Sequence, residues 1–191
     1  MIKSDKREKI VKAALELIAE HGFHGAPMSM IAERGKVAAG TIYRHFDSKD
    51  TMVNEIYREL EENIMEFILV GYPAGSPIRE RFIHIGENLL KYFISNPLVF
   101  RYVEQFHNSP YGAAYRREMI FGQPGSGNIC RDLFEEGVAR QAMKDLPLAA
   151  LYALTFGPLL TLARDHILGF IKLDDHLIEL TVSACWDAVI Y

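Results

Sequence analysis

Residues 28–46, with Lys49 just beyond them, constrain the fold more than any other part of this chain. They read Met-Ser-Met-Ile-Ala-Glu-Arg-Gly-Lys-Val-Ala-Ala-Gly-Thr-Ile-Tyr-Arg-His-Phe. Met28, Ile31 and Ala32 are spaced to line one side of a short helix. After a turn at Gly35, Lys36 and Val37, the apolar residues Val37, Ile42 and Phe46 can close on that side from a second helix. What the second helix leaves outside is small or hydrogen-bonding: Ala39, Gly40, Thr41, Tyr43, Arg44 and His45. A short helix that starts with small residues can press its N-terminal end into the DNA major groove, which is wide enough to admit a helix.

Charge is distributed to match. The 191 residues carry a net charge of −4, which argues against a protein coated with nucleic acid along its length. Residues 1–50, however, hold 9 Lys+Arg against 7 Asp+Glu, whereas the other 141 hold 12 against 18. A mildly basic head on an acidic body suits DNA contact by one end only. Hydrophobic residues make up 49% of the chain, enough for a sizeable core. The start has no apolar run like a signal peptide, and no apolar stretch is long enough to span a bilayer, so a cytoplasmic protein is expected. Cys130 and Cys185 lack Cys-x-x-Cys spacing and read as structural thiols in a reducing compartment.

Helical periodicity recurs along the whole chain. Residues 4–21 form a first helix, with Ile10, Ala14, Leu17 and Ile18 inward, Lys6, Arg7, Lys9 and Lys12 outside, and Gly22 as its stop. Helix two runs to about Arg34, with Pro27 in its first turn, and helix three covers about 39–46. Ser48 caps a long helix over 49–70, the only obvious mechanical link between head and body. Further helices are expected at 78–95, 98–107, 115–121, 129–141, 147–170 and 174–190, separated by breaks at 71–77, 108–112 and 122–128. The last two are apolar nearly all round. Such helices are buried on more than one side, and in a chain this small the second side is a partner subunit. No strand alternation suggests a sheet.

The run Ile31-Ala32, Val37, Gly40-Thr41-Ile42-Tyr43, His45-Phe46, Ser48-Lys49 resembles the DNA-binding signature of the tetracycline-repressor (TetR) family of transcriptional regulators. The resemblance is specific over about residues 7–56; beyond them only the helical layout agrees. It implies an all-α fold of about nine helices: a three-helix helix-turn-helix DNA-binding domain, 1–48, and a helical ligand-binding and dimerisation domain, 49–191. It also implies a homodimer that binds double-stranded operator DNA, a repressor released by a small organic ligand. By the same match Thr41, Tyr43, His45 and Lys49 contact DNA. Thr41 reaches a base edge or phosphate, Tyr43 and His45 donate to phosphate oxygens, and Lys49 brings positive charge to another phosphate. Ala39 and Gly40 belong to the same reading surface. Arg44 is not fixed by the family pattern; it pairs with guanine or with phosphate. Two departures stand out. Lys36 occupies the usual turn-glycine position, which would cost on the order of 1 kcal/mol if its φ is positive. Ala38 replaces a serine-type cap, at a loss of roughly 1 kcal/mol.

The body is rich in aromatics, which points to a cavity for an aromatic or amphipathic molecule. Ile64, Phe67, Phe93, Phe100, Phe106, Tyr115, Tyr152 and Phe156 are its candidate lining. Leu159, Ala163, Ile167, Leu180, Ala184 and Trp186 are the candidate dimer contacts. No catalytic constellation is visible, and no cofactor or metal is expected: His84 and Glu87 lack a convincing third ligand. The rival reading is a helical ligand-binding or adaptor protein without DNA-binding activity.

Overall fold

The structure is a computed structural model that describes residues 5–121 and 128–191. It holds ten helices and, among the described residues, no strand: α1 Asp5–His21, α2 Met28–Arg34, α3 Ala39–Ile42, α4 Lys49–Leu69, α5 Ile78–Ser95, α6 Pro97–His107, α7 Pro110–Phe121, α8 Ile129–Ala139, α9 Leu148–Ile167 and α10 Asp175–Asp187. The all-α expectation is met. The loop expected at 122–128 lies, except for Asn128, outside the described residues.

Local signals explain most boundaries. Gly22 takes φ 68 and its N–H returns to the Ile18 carbonyl, which closes α1. The Ser48 hydroxyl accepts the Thr51 N–H at 3.0 Å and starts α4. Asn128 caps α8 through Arg131 N–H, and Asp174 caps α10 through Leu177 N–H. Three helices end two or three residues short of the expected bounds, α8, α9 and α10, and two segments differ more. α7 begins at Pro110, five residues before the expected Tyr115, because this proline sits at a helix start, where its missing N–H costs nothing. α3 is four residues long rather than the eight expected over 39–46. Beyond Ile42 the chain tightens into turns, with the His45 and Phe46 N–H groups both donating to the Ile42 carbonyl at 2.9 Å.

Packing divides the chain into two units, Met1–Asn63 with Pro97–Ala113, and Ile64–Asn96 with Ala114–Tyr191. In the first, α1 and α2 bury Ile10, Ala14, Leu17, Ile18 and Ile31 against Ile42 and Phe46 from the turn region and Met52 and Ile56 from α4. α6 joins this unit and packs on α1, with Tyr102 fully buried and its O–H donated to the Val53 carbonyl at 3.0 Å. In the second unit α5 packs on α8, α9 and α10. Phe82 is fully buried, its ring 5.5 Å from Trp186. A Cβ at Gly86 would stand 2.6 Å from a Val182 methyl, so α5 and α10 meet at a distance only glycine permits. No helix among the described residues is long and apolar enough to cross a membrane.

Candidate nucleic-acid interface

The turn between α2 and α3 is a Schellman motif. The Val37 N–H donates to the Ala32 carbonyl at 3.0 Å and the Lys36 N–H to the Glu33 carbonyl at 3.1 Å. The motif demands a left-handed residue, and Lys36 fills it with φ 52, as its position in the sequence requires. Gly35, one residue earlier, has an ordinary φ of −75 and serves another purpose. A Cβ there would lie 3.1 Å from the Ile31 carbonyl oxygen and 3.3 Å from that of Lys9, so the glycine lets α1 lie close against the turn. Ala38 caps α3 with no side-chain hydrogen bond, again as expected.

Beyond the turn, the buried residues Ile42 and Phe46 anchor the segment, while Ala39, Gly40, Tyr43 and Arg44 are exposed and Thr41 and His45 are half-buried. Tyr43 is 55% exposed. The side chains of Thr41, Tyr43, Arg44 and His45 hold no hydrogen bond or ion pair among the described residues. They are donors without partners among the described residues. Gly40 is the most telling. It lies within α3, where glycine costs roughly 0.5–1 kcal/mol relative to alanine. A Cβ added to it would meet nothing within 4 Å, and its φ is not positive. Neither packing nor backbone conformation asks for glycine here.

Two other cations of this unit are spent internally. Arg7 falls at the head of the stripe Ile10, Ala14, Leu17, and its guanidinium bonds Glu59 at 2.5 Å and Glu55 at 3.4 Å while lying 5.1 Å from the centre of the Phe46 ring. Its spacing on that stripe is the signal that separates it from the outward lysines. Lys49 donates its ammonium to the Phe23 carbonyl, and burial there pushes its pKa below the ordinary lysine value. Next to it, the Asp50 carboxylate accepts the Tyr111 O–H, which pushes the Tyr111 hydroxyl up to about 12, with burial adding to the shift. Sequence reading found neither the Arg7 nor the Tyr111 contact. The latter joins residues 61 apart and leaves no local pattern.

Residues 10–56 match the family described as bacterial regulatory proteins, tetR family, and residues 77–190 match the tetracyclin repressor-like C-terminal domain. The chain belongs to the TetR family. An uncharacterized helix-turn-helix transcriptional regulator of Haemophilus influenzae is 23% identical over 98% of this chain and 97% of its own. A TetR family protein of Vibrio parahaemolyticus shares the structure with a TM-score of 0.76 and 31% identity, covering 97% of this chain and 99% of the other. The transcriptional regulator FadR of Bacillus subtilis, solved in complex with stearoyl-CoA, has the same fold with a TM-score of 0.71 at 21% identity, over 96% and 97% of the two chains. The function that the resemblance implies, that of a DNA-binding transcriptional regulator of repressor type with a ligand-binding C-terminal domain, is the function of this family.

Within this TetR-family chain the candidate pocket residues fall into separate groups. Phe100 and Phe106 are buried in the first unit, where Phe106 stacks on Tyr57 at 3.7 Å. Ile64, Phe67, Phe93, Tyr115, Tyr152 and Phe156 belong to the second. There Tyr152 and Phe156 gather on Phe134 at 5.1 and 5.8 Å, and the Tyr152 O–H reaches Asn128 at 3.2 Å. Phe67 is 42% exposed and edges onto Tyr92; Ile64 and Phe93 are buried, and Tyr115 is half-buried. Of the candidate dimer residues, Leu159, Ala163 and Trp186 are buried within their own unit, Ile167 is half-buried, and Leu180 and Ala184 are exposed. His84 bonds the Ile68 carbonyl at 2.8 Å, and no group of three metal-ligating side chains occurs among the described residues. Both cysteines are free; burial pushes the Cys130 thiol up to about 12 and raises that of Cys185, away from thiolate chemistry at neutral pH.

Proposed function

We propose that this TetR-family regulator acts in the cytoplasm as a homodimer. It would occupy a two-fold symmetric operator through Ala39, Gly40, Thr41, Tyr43, Arg44 and His45, and leave it when an amphipathic organic molecule binds the C-terminal part. The observation that carries the DNA assignment is Gly40. A helical glycine that neither packing nor φ requires destabilises the chain for no internal return, and close approach of an outside backbone is the return that remains. Tyr43, Arg44 and His45 beside it, without partners among the described residues, supply donors for phosphate and base edges.

Functionally, residues 1–48 read DNA and 49–191 bind ligand and dimerise, a division that does not coincide with the packing units. For the dimer, α9 leaves Leu154 and Pro158 exposed on one stripe, with Leu168 exposed just past its end, and α10 leaves Leu180 and Ala184 on another. Apolar stripes at helical spacing on neighbouring helices suit an isologous contact with a second copy. For the ligand, the cluster of Phe134, Tyr152 and Phe156, with the polar tip of Tyr152, fits a molecule with an extended apolar part and a polar end, in keeping with the stearoyl-CoA held by the Bacillus subtilis relative. Release follows if the ligand prefers a dimer whose reading segments are not one helical turn of DNA apart, roughly 34–36 Å.

Selection from random duplexes, followed by a salt titration, tests this reading. A symmetric site bound by two copies, with affinity falling steeply as salt rises, is the expected result. No enriched sequence from protein unfolded and refolded to strip any ligand would leave a helical binding protein without DNA affinity.

A further inference from the structure

The lysine in the turn between α2 and α3 holds a backbone conformation that its own side chain makes costly. Lys36 has φ 52, in the left-handed region that L side chains rarely adopt. Both hydrogen bonds of the turn are donated by backbone N–H groups, so glycine would make them without the strain. The Lys36 side chain is exposed and holds no hydrogen bond or ion pair among the described residues. Strain of this kind, not offset by an internal contact, clusters where a residue serves a ligand.

Lys36 also borders a cleft of about 310 Å³ between α1 and the turn, lined with it by Lys9, Lys12, Glu16 and Arg34. The cations around this cleft are not equivalent. Lys9 pairs with Asp5 at 2.7 Å, and Arg34 answers Glu16 at 3.4 Å and Glu20 at 3.2 Å. Lys12 and Lys36 are left over, both exposed and both without a partner among the described residues. Two ammonium groups on one cleft whose carboxylate is already paired favour an anion there. The reading segment lies close by in the chain. Val37 is half-buried, and Ala38 and Ala39 carry only methyl groups, so no long side chain stands between Lys36 and a backbone that approaches Gly40.

We propose, on the reading that residues 39–45 meet DNA, that this cleft receives a phosphate of the operator backbone beside the reading segment, held by the ammonium groups of Lys36 and Lys12. A lysine suits this task, since its charge sits on a flexible four-carbon stem that can follow the phosphate. The strained turn is then kept for the charge it carries outward, as glycine in its place would fold more easily and hold nothing.

A salt titration on the operator selected by the wild-type protein tests this. Each phosphate neutralised contributes about 0.9 to the slope of log K against log salt. Lys36→Gly removes the ammonium and relaxes the backbone, so it should melt higher than the wild type. It should also bind about tenfold more weakly at low salt, with a slope shallower by about 0.9 for each copy bound. Lys12→Gln should shift affinity and slope in the same direction, and Lys36→Arg, which keeps the charge, should hold the wild-type slope. Neutral methylphosphonates placed one at a time along the operator locate the contact. One position, repeated by two-fold symmetry, should weaken the wild type and leave Lys36→Gly unaffected. A wild-type slope in Lys36→Gly or in Lys12→Gln overturns the proposal. So does a shallower slope with every methylphosphonate weakening both proteins alike, the mark of a diffuse field rather than a contact. A wild-type protein that binds no duplex overturns the DNA reading itself, a separate outcome.

Discussion

In the unit formed by residues 1–63 and 97–113, side chains far apart in sequence are tied by directional bonds: Arg7 to Glu59, Lys49 to the Phe23 carbonyl, Tyr102 to the Val53 carbonyl, Tyr111 to Asp50. In the unit formed by 64–96 and 114–191, directional bonds also join distant residues, Arg79 to Ser183 at 2.9 Å and His84 to the Ile68 carbonyl at 2.8 Å, and between them lie rings and close-packed backbones. There Phe82 lies against Trp186 and Phe156, Phe134 against Tyr152, and Gly86 against Val182. Salt bridges occur there too, as between Arg81 and Glu136 at 2.7 Å. Dispersion and burial are non-directional and tolerate repacking, whereas hydrogen bonds and ion pairs fix angles. A surface that must meet a DNA groove needs its angles fixed. A ligand-binding part gains from a core that can rearrange around what enters it.

The comparison can be broken by substitution. Phe82→Ala should have the largest effect, a loss of about 3–5 kcal/mol in denaturant unfolding, since the side chain is fully buried among other rings. A loss under about 1 kcal/mol would mean the second unit does not depend on ring packing. Arg7→Ala should cost about 1–3 kcal/mol, because two partly buried carboxylates lose their partner and Phe46 loses the guanidinium beside its ring. Arg7→Lys should recover only part of this, as an ammonium cannot serve both carboxylates with the geometry of a guanidinium. Full recovery would reduce the tie to simple charge. Lys36→Gly should act in the opposite direction and stabilise the protein by about 0.5–1 kcal/mol, read as a rise in melting temperature, because it relieves a left-handed backbone.

These residues also show what could be read without a structure. The strain at Lys36, the missing cap at Ala38, the stop at Gly22 and the cap at Ser48 were all legible, because each is a local rule about one residue and its immediate neighbours. The outward set Gly40, Tyr43 and Arg44 was legible for the same reason: two buried anchors, Ile42 and Phe46, fix which way the others face. The role of Gly35 was not, since the Lys9 carbonyl that presses on it comes from another helix. Nor was the membership of α6 in the first unit, or the burial of Leu159, Ala163 and Trp186. A helix that is apolar nearly all round does not say which of its faces meets its own chain and which a second copy.

Gly40→Ala puts the central claim to the most direct test. The substitution adds one methyl group in open space and improves helix propensity, so thermal unfolding should show a protein more stable by about 0.5–1 kcal/mol. If the segment meets DNA backbone at close range, the same variant should bind the selected operator at least tenfold more weakly. Higher stability with undiminished operator affinity would contradict the account, because Gly40 would then have no partner outside the chain to explain it.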